Sequence, residues 1–167
     1  ADVVPVGADQ KQHVELCRTV ANRFNGIYGD TFKVPEPIIP KVGAKIMSLQ
    51  NPLEKMGKSD TNENAYVKIL DDPDTIMRKF KRAVTDSEAK VYFGDATEKA
   101  GINNLMTIYS AVTGLDFEKI EKEFEGKGYG DFKMAVGEAV IEELRPVRER
   151  FDELMSDKAQ LEAMYKD

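Results

Sequence analysis

Apolar residues recur along this chain with two periodicities, one typical of a strand and the other of helices. Residues 3–6 (Val-Val-Pro-Val) predict a short buried strand that Gly7 ends. A helical repeat follows at Val14, Cys17, Val20, Ala21 and Phe24. Asn25-Gly26 supplies a stop signal, so residues 3–25 are predicted to form a strand, a tight turn and a helix.

The turn between this strand and helix is the first candidate binding region. Asp9 is placed to cap the helix, and Gln12 three residues later completes a capping-box pattern. In open α/β sheets, ligands collect at the carboxyl ends of strands, where the next helix offers backbone N–H groups. We therefore expect residues 7–10 to lie at a ligand-facing end.

Residues 26–62 have no sustained period and are predicted to be irregular. Short strands are expected at residues 31–34 and 45–49. A helix is excluded in the intervening stretch by Pro35, Pro37 and Pro40. Gln50-Asn51-Pro52 then opens a loop.

From residue 66 onward the apolar positions repeat at helical spacing. Asp72 is a good helix cap, with Pro73 at the first helical position. Further helices are predicted at Asn103–Thr113 before Gly114, around Phe117, Ile120 and Phe124, in a long segment capped by Asp131 and kinked at Pro146, and from near Asp157. The predicted fold is an α/β remnant over residues 1–65 followed by an all-helical unit over residues 66–167, mostly helical overall.

Lys55-Met56-Gly57-Lys58-Ser59 has the most distinct chemical character in the chain. Each lysine is a point-charge donor for phosphate oxygens, and Gly57 lets the backbone bend or approach a ligand closely. Ser59 adds a hydroxyl group. Because a lysine-rich loop is more often a solvated surface, its assignment to phosphate binding depends on the surrounding sequence.

Composition narrows the classes of function. The chain has 167 residues and a formal net charge of −6, which argues against a protein that coats nucleic acid. A local basic cluster remains, usually a solvated helix face, at Arg78, Lys79, Lys81 and Arg82. No apolar run approaches the roughly 20 residues that span a bilayer, so no membrane partner is expected.

Cysteine and histidine add little chemistry. Cys17 is the only cysteine, so no disulfide forms within the chain, which fits a reducing cytoplasm. Its position on the apolar stripe predicts a core residue. His13 is predicted to be a packed or surface helix residue. No cluster has metal-ligand spacing, so we expect no structural metal.

Five segments together resemble the tryptophan-specific family of class I aminoacyl-tRNA synthetases. Lys55 to Asp60 is similar to the K-M-S-K-S-D signature, which alone indicates only class I. Tryptophan rather than tyrosine is indicated by the similarity of residues 4–13, 35–44, 83–88 and 124–130 to other parts of that family.

The resemblance implies the C-terminal part of a Rossmann-type catalytic domain in residues 1–65 and a tRNA anticodon-binding region in residues 66–167. It implies ATP-dependent activation of L-tryptophan, with Mg²⁺ bound to the ATP, and transfer to tRNA(Trp). The parent is expected to be a cytoplasmic homodimer.

The resemblance also implies roles for the lysine segment. Lys55 and Lys58 would neutralise charge on the departing pyrophosphate, and Ser59 would donate a hydrogen bond to the same phosphates. Met56 would pack against adenine or the base of the loop. Gly57 completes this part of the ATP site, although the family usually has serine there. The replacement is expected to alter loop closure rather than the reaction type.

The remaining implied contacts lie earlier in the chain. Gly7, Ala8 and Asp9 would meet the ribose side of ATP, with Asp9 accepting from a hydroxyl. Adenine would contact Ile46. The indole of tryptophan would lie near Val4, Val6 and Gln10.

The H-I-G-H-like motif of class I enzymes has no counterpart in this sequence, and neither does the family's acidic residue for the indole N–H. The chain also begins at Ala1 rather than at Met. These features predict a C-terminal fragment with half an active site, which should not form tryptophanyl-adenylate alone. Two alternatives stay open: a non-catalytic helical tRNA-binding module, and another class I ligase such as the tyrosine enzyme.

Overall fold

The computed structural model describes residues 1–7, 10–39 and 45–165. The chain divides into two compact units, Ala1–Ile46 and Met47–Asp167.

The N-terminal unit is a strand, a helix and a second strand. Strand β1 spans Val3–Pro5, helix α1 spans Lys11–Tyr28 and strand β2 spans Glu36–Ile38. The two strands pair in parallel, with Val4 opposite Pro37. Because parallel neighbours need a crossover, α1 supplies the connection between them. The predicted order of a strand followed by a helix is confirmed.

Both strand predictions need correction. Val3 and Pro5 are exposed and Val4 is only half-buried, because β1 has a single partner in the described unit. The strand expected at residues 31–34 is absent, and the chain pairs instead at Glu36–Ile38. A proline inside β2 is tolerated because a two-stranded sheet consists only of edge strands.

Helix α1 begins and ends later than predicted. Its N-cap is Gln10, without a side-chain cap, and the capping box predicted at Asp9 falls on a residue outside the described ones. The helix continues through Asn25-Gly26 to Tyr28. The Asn25 amide oxygen accepts from Thr31 and Phe32 N–H at 3.1 and 2.8 Å, so this residue organises the turn after the helix instead of ending it.

The apolar stripe of α1 is mostly uncovered within its unit. Val14 is buried, whereas Val20 is 61% exposed. Cys17 is exposed as well, so its predicted place in the core is wrong. The reason is the small partner: the short strand β2 packs against the helix and covers little of its surface.

The C-terminal unit is helical. Its helices are α2 (Pro73–Lys81), α3 (Ala100–Thr113), α4 (Phe117–Glu123), α5 (Tyr129–Ser156) and α6 (Lys158–Met164), with a 3-10 turn at Thr97–Lys99. Helix α5 packs against α2 and α3. The core of this unit includes the fully buried side chains of Phe80, Phe132, Ile76, Ile102, Leu105, Met106 and Ile120.

Most helix boundaries agree with the sequence signals. Asp72 accepts from Thr75 N–H at 2.9 Å and caps α2 as predicted. Gly114 ends α3 with a left-handed φ of 73°. Two starts differ, since α3 begins at Ala100 instead of Asn103 and α5 is capped by Gly128 instead of Asp131.

The strand expected at residues 45–49 is also absent. A single antiparallel bridge joins Met47 to Lys55. Ser48 and Leu49 are nevertheless buried, each with 2% exposure. The apolar pattern that suggested a strand therefore reflects burial of an irregular segment.

Candidate functional site

The lysine loop, defined as residues 50–60, follows a segment that pairs antiparallel with it through Met47 and Lys55. Ser48 N–H donates to the Glu54 carbonyl at 2.8 Å, beside the bridge between Met47 and Lys55. Glu54 N–H donates to the Asn51 carbonyl at 2.9 Å. These bonds join the segment before the loop to the first half of the loop, ahead of Lys58.

The segment that supports the loop, residues 47–49, is anchored on several sides. Leu49 N–H donates to the Ala65 carbonyl at 2.9 Å, and its own carbonyl accepts from Val84 N–H at 2.8 Å. The buried Ser48 hydroxyl accepts from the backbone N–H of Gln50 and of Asn51. Satisfied buried polar groups of this kind make the base of the loop a rigid support.

The tip of the loop is accessible to solvent. Lys55, Lys58 and Ser59 are exposed, whereas Met56 and Gly57 are half-buried. A fixed base and exposed cations suit the electrostatic capture of a polyanion.

Gly57 is not required by the backbone of this loop. Its φ is outside the left-handed region, and a Cβ built there would lie 4.0 Å from its nearest neighbour, the Lys55 carbonyl oxygen. A serine side chain, as the family usually has here, therefore fits at this position in this conformation.

The other predicted ligand contacts belong to the N-terminal unit. Val4 lies in β1, and the half-buried Val6 and Gly7 follow the end of that strand. The Gly7 carbonyl accepts from Gln10 N–H at 3.0 Å, just before α1 begins.

The remaining predicted contact residues are Gln10, Ile46, Ala8 and Asp9. The Gln10 amide oxygen lies 2.9 Å from Nδ1 of His13, a surface residue. Ile46 is half-buried. Ala8 and Asp9 lie outside the described residues. The structure thus groups Val4, Val6, Gly7 and Gln10 in one unit and the lysine loop in the other.

Asn104 is a residue that sequence reasoning missed. It lies on the buried face of α3 with 5% exposure and hydrogen-bonds to both backbone groups of Met47, at the base of the lysine loop. The available signal was an asparagine between the apolar residues Ile102 and Leu105, where a polar side chain needs a partner.

The predicted basic cluster on α2 is incomplete. Lys79 is only 2% exposed, and its ammonium lies 2.5 Å from Asp71. Its ammonium also lies 5.3 Å from the centre of the Tyr66 ring. Arg78, Lys81 and Arg82 remain exposed, so the cluster offers three cations instead of four to solvent.

An ion-pair network in which Lys99 and Asp86 are largely buried and Glu88 is exposed joins two of the segments that carry the family resemblance. Tyr129 hydroxyl lies 2.9 and 2.8 Å from the carboxylate oxygens of Asp86. Lys99 Nζ lies 3.2 Å from Asp86 and 2.6 Å from Glu88. Its ammonium also lies 4.3 Å from the centre of the Tyr92 ring.

The network shifts the pKa values of its members. Burial alone would lower the pKa of Lys99, but hydrogen bonds to Glu88, Asp86 and Tyr129 outweigh it and raise that pKa. Burial alone would raise the pKa of Asp86, and hydrogen bonds from Glu88 N–H, Tyr129 and Lys99 lower it below its usual range. Burial, together with Asp86, raises the pKa of Tyr129 to about 12.

A cavity of about 820 Å³ in the described part of the chain lies beside this network. Its lining includes Glu88, Tyr92, Glu121, Lys122 and Phe124, and none of the predicted site residues.

The described part of the chain contains no group of three or more His, Cys, Asp or Glu side chains that could hold a metal ion. Within that same part, no helix is long and apolar enough to cross a membrane.

Comparison with known proteins places these features in a family. The family model "tRNA synthetases class I (W and Y)" matches residues 1–145. The chain therefore belongs to the class I aminoacyl-tRNA synthetases of the W and Y family. Among curated relatives, the tryptophan–tRNA ligase of Wolinella succinogenes is 57% identical over 161 residues, which cover 96% of this chain and 48% of that protein.

Solved structures agree with this assignment. The chain matches tryptophanyl-tRNA synthetase from Mycoplasma pneumoniae with 32% identity and a TM-score of 0.75, covering 89% of this chain and 46% of the other. The Campylobacter jejuni tryptophanyl-tRNA synthetase complexed with ADP and tryptophan has 28% identity and a TM-score of 0.59, with coverages of 98% and 49%. The chain thus spans about half the length of the relatives it matches.

Proposed function

We propose that this chain is the C-terminal half of a tryptophan–tRNA ligase. In that reaction the tryptophan carboxylate attacks the α-phosphate of ATP and pyrophosphate leaves, and the tryptophanyl group then passes to tRNA(Trp). The observation that carries the proposal is the lysine loop, with exposed Lys55 and Lys58 on a buried base, in a member of this synthetase family.

Charge neutralisation is the role proposed for the lysine loop. Negative charge grows on the departing pyrophosphate, where Lys55 and Lys58 stabilise it and Ser59 donates a hydrogen bond. Met56 packs against adenine or the base of the loop. Gly57 contributes backbone to the same ATP site, as in a K-M-S-K-S loop whose middle serine is replaced.

The N-terminal unit is proposed to supply the rest of the half-site, as part of a Rossmann-type domain. Gly7, Ala8 and Asp9 meet the ribose of ATP, and Ile46 contacts adenine. Tryptophan lies near Val4, Val6 and Gln10. Support comes from the position of Val6 and Gly7 at the carboxyl end of a parallel strand, where such sheets bind ligands.

Magnesium is proposed to arrive with ATP. The lysine loop presents ammonium groups, which bind phosphate, whereas a dedicated Mg²⁺ site would use carboxylates. The Mg²⁺ would therefore be held mainly by phosphate oxygens.

The helical residues 66–167 are proposed to form the tRNA anticodon-binding region, with residues 1–65 in the catalytic domain. The parent protein is proposed to act as a homodimer in the cytoplasm. The alternative of a tyrosine enzyme is disfavoured by the 57% identity to a tryptophan ligase.

The test is a chimera. This chain would replace the matching half of the Wolinella succinogenes ligase, and tryptophan-dependent ATP–pyrophosphate exchange would be measured. We expect exchange with tryptophan and not with tyrosine. Lys58→Ala should lower the rate about a hundredfold or more, because it removes a cation that acts in the transition state. The matched control is Lys81→Ala, which removes an exposed lysine from α2.

The outcomes separate the alternatives. Exchange driven by tyrosine would indicate the tyrosine enzyme. A folded chimera that binds tRNA but not ATP would indicate a non-catalytic module. Tryptophan-dependent exchange by the 167-residue chain alone would contradict the proposal that it holds only half of the active site.

A further inference from the structure

Asn104 connects helix α3 to the chain beneath the lysine loop. Met47 N–H donates to the Asn104 amide oxygen at 2.8 Å, and the Asn104 amide nitrogen donates to the Met47 carbonyl at 2.7 Å. One side chain thus satisfies both backbone groups of a residue 57 positions away. It does for Met47 what a neighbouring strand would do in a sheet.

The contact between Asn104 and Met47 lies beside Lys55, the first lysine of the loop. Met47 forms the antiparallel bridge with Lys55, and the next residue, Ser48, donates to the Glu54 carbonyl. A displacement of Met47 would therefore carry Glu54 and Lys55 with it. Since buried polar groups must stay paired, the Asn104 contact restricts where the base of the loop can lie.

We propose that Asn104 is a positioning residue for phosphate binding, fixing the Met47–Lys55 pair so that the lysine loop meets a polyphosphate in one arrangement. The proposal rests on the proposed function of that loop. Asparagine is the residue the geometry requires, because Met47 presents one donor and one acceptor. An apolar side chain would leave both groups unpaired, and a carboxylate would repel the carbonyl.

The neighbouring residue provides a matched control. Asn103 donates to the Gly94 carbonyl at 2.6 Å and accepts from Gly94 N–H at 3.1 Å. It therefore makes the same kind of two-bond contact from the same helix, but to a segment outside the lysine loop. Variants of Asn103 lose equivalent bonds without disturbing Met47.

The first experiment is amide hydrogen exchange in the 167-residue chain with Asn104→Leu and Asn103→Leu. The reporters are the Ser48 and Glu54 N–H groups, which do not bond to Asn104 themselves. Asn104→Leu should accelerate their exchange about tenfold, relative to amides of the α5 core. Asn103→Leu should leave them unchanged and accelerate Gly94.

Asn104→Asp keeps the test decisive if Asn104→Leu does not fold. The ionised carboxylate cannot donate to the Met47 carbonyl, whereas the protonated acid can donate and accept as the amide does. Burial beside a carbonyl raises the pKa of the introduced carboxyl. Protection of Ser48, corrected for intrinsic exchange rates, should therefore return as the pH falls below that pKa. Asn103→Asp should show no such recovery at Ser48.

The second experiment titrates inorganic tripolyphosphate into the same variants. Asn104→Leu should weaken binding about tenfold, since the lysines are no longer held in one arrangement. Asn103→Leu should bind as the unsubstituted chain does, and Lys58→Ala should bind least.

Failure of the positioning role and failure of the proposed function are distinguishable. Equal affinity and equal Ser48 protection in the Asn104 and Asn103 variants would overturn the role of Asn104. An unsubstituted chain that fails to bind tripolyphosphate would overturn phosphate binding by the loop, and with it the role of Asn104 in that binding. The exchange data would still decide whether Asn104 holds the loop base.

Discussion

Gly101 sets how closely helix α3 approaches the backbone of the preceding segment. A Cβ at this position would lie 2.2 Å from the Val84 carbonyl oxygen. The backbone would have to move, so Gly101→Ala should lower the free energy of unfolding by about 2–3 kcal/mol. Alanine's higher helix propensity recovers less than this. Urea denaturation measures the change.

Gly137→Ala is the matched substitution in α5. Its Cβ would meet the end of the Met77 side chain at 3.1 Å, and that flexible thioether can shift. We expect a change within about 1 kcal/mol. Equal losses at the two glycines would show that the contact with Val84 is not what makes Gly101 necessary.

Asp86 should make the free energy of unfolding depend on pH. Its pKa is lower in the folded chain than its usual value, so its contribution is fully present above the unfolded pKa and is lost as the pH falls through the folded one. The unfolding free energy should therefore decline below about pH 4. Asp86→Asn should remove part of that decline and cost about 1–3 kcal/mol at pH 7.

The control for this pH series is Asp95→Asn, which changes an exposed carboxylate. Denaturant midpoints from pH 2.5 to 7 would be compared for the three proteins, with pH values spaced about half a unit apart. An Asp86→Asn protein with the same acid profile as the unsubstituted chain would contradict the role given to this ion-pair network.

At the residue scale, the sequence identified candidate side chains but not the environment of each one. Lys55 and Lys58 were identified from their neighbours and are exposed, as a binding role requires. Lys79 was grouped with three other cations, yet it is buried against Asp71. Sequence spacing does not reveal which member of a basic run faces the core, because that depends on what packs against the helix.

At the scale of elements, the Lys79–Asp71 pair ties α2 to the turn before it. The Asp71 carboxylate also accepts from Lys68 N–H at 2.9 Å. Lys79→Met should lower the unfolding free energy by about 3 kcal/mol, because it leaves a carboxylate buried without its cation. Thermal and urea unfolding measure this loss.

Lys81→Met serves as the control, since it removes an exposed lysine from the same helix. Its effect should stay within about 0.5 kcal/mol. Replacing both partners, in Asp71→Leu with Lys79→Met, should cost less than the single Lys79→Met change. A double variant that is less stable than the single one would contradict the burial argument.

Helix boundaries were predicted correctly where the local sequence signals are strong. The proline and aspartate at the start of α2 and the glycine after α3 act through their own backbone and side chain, so they were predictable. The long helix α5 was also predicted from helical spacing of apolar residues, but two of its apolar residues, Val147 and Phe151, are 49% and 41% exposed. Periodicity shows that a face is apolar, not whether another element covers it.

At the scale of the whole molecule, the apolar core lies mainly in the C-terminal unit. Among the described residues of the N-terminal unit, Val14 is the buried apolar side chain. We expect residues 47–167 alone to unfold cooperatively and residues 1–46 alone to stay largely unfolded, because so small a unit buries too little surface. Circular dichroism melts and amide exchange of the two peptides test this; protected α1 amides in the shorter one would contradict it.

The sequence by itself determined the helical character, the α2 and α3 signals, the lysine loop and the resemblance that its segments carry, because these depend on residues close together in the chain. Tertiary structure alone decided the parallel pairing of β1 with β2, the burial of Lys79, the meeting of Asp86 with Tyr129 and the contact of Asn104 with Met47. Each of the last two joins residues more than 40 positions apart. Such pairs form only when packing brings distant segments together, and no local pattern encodes their distance.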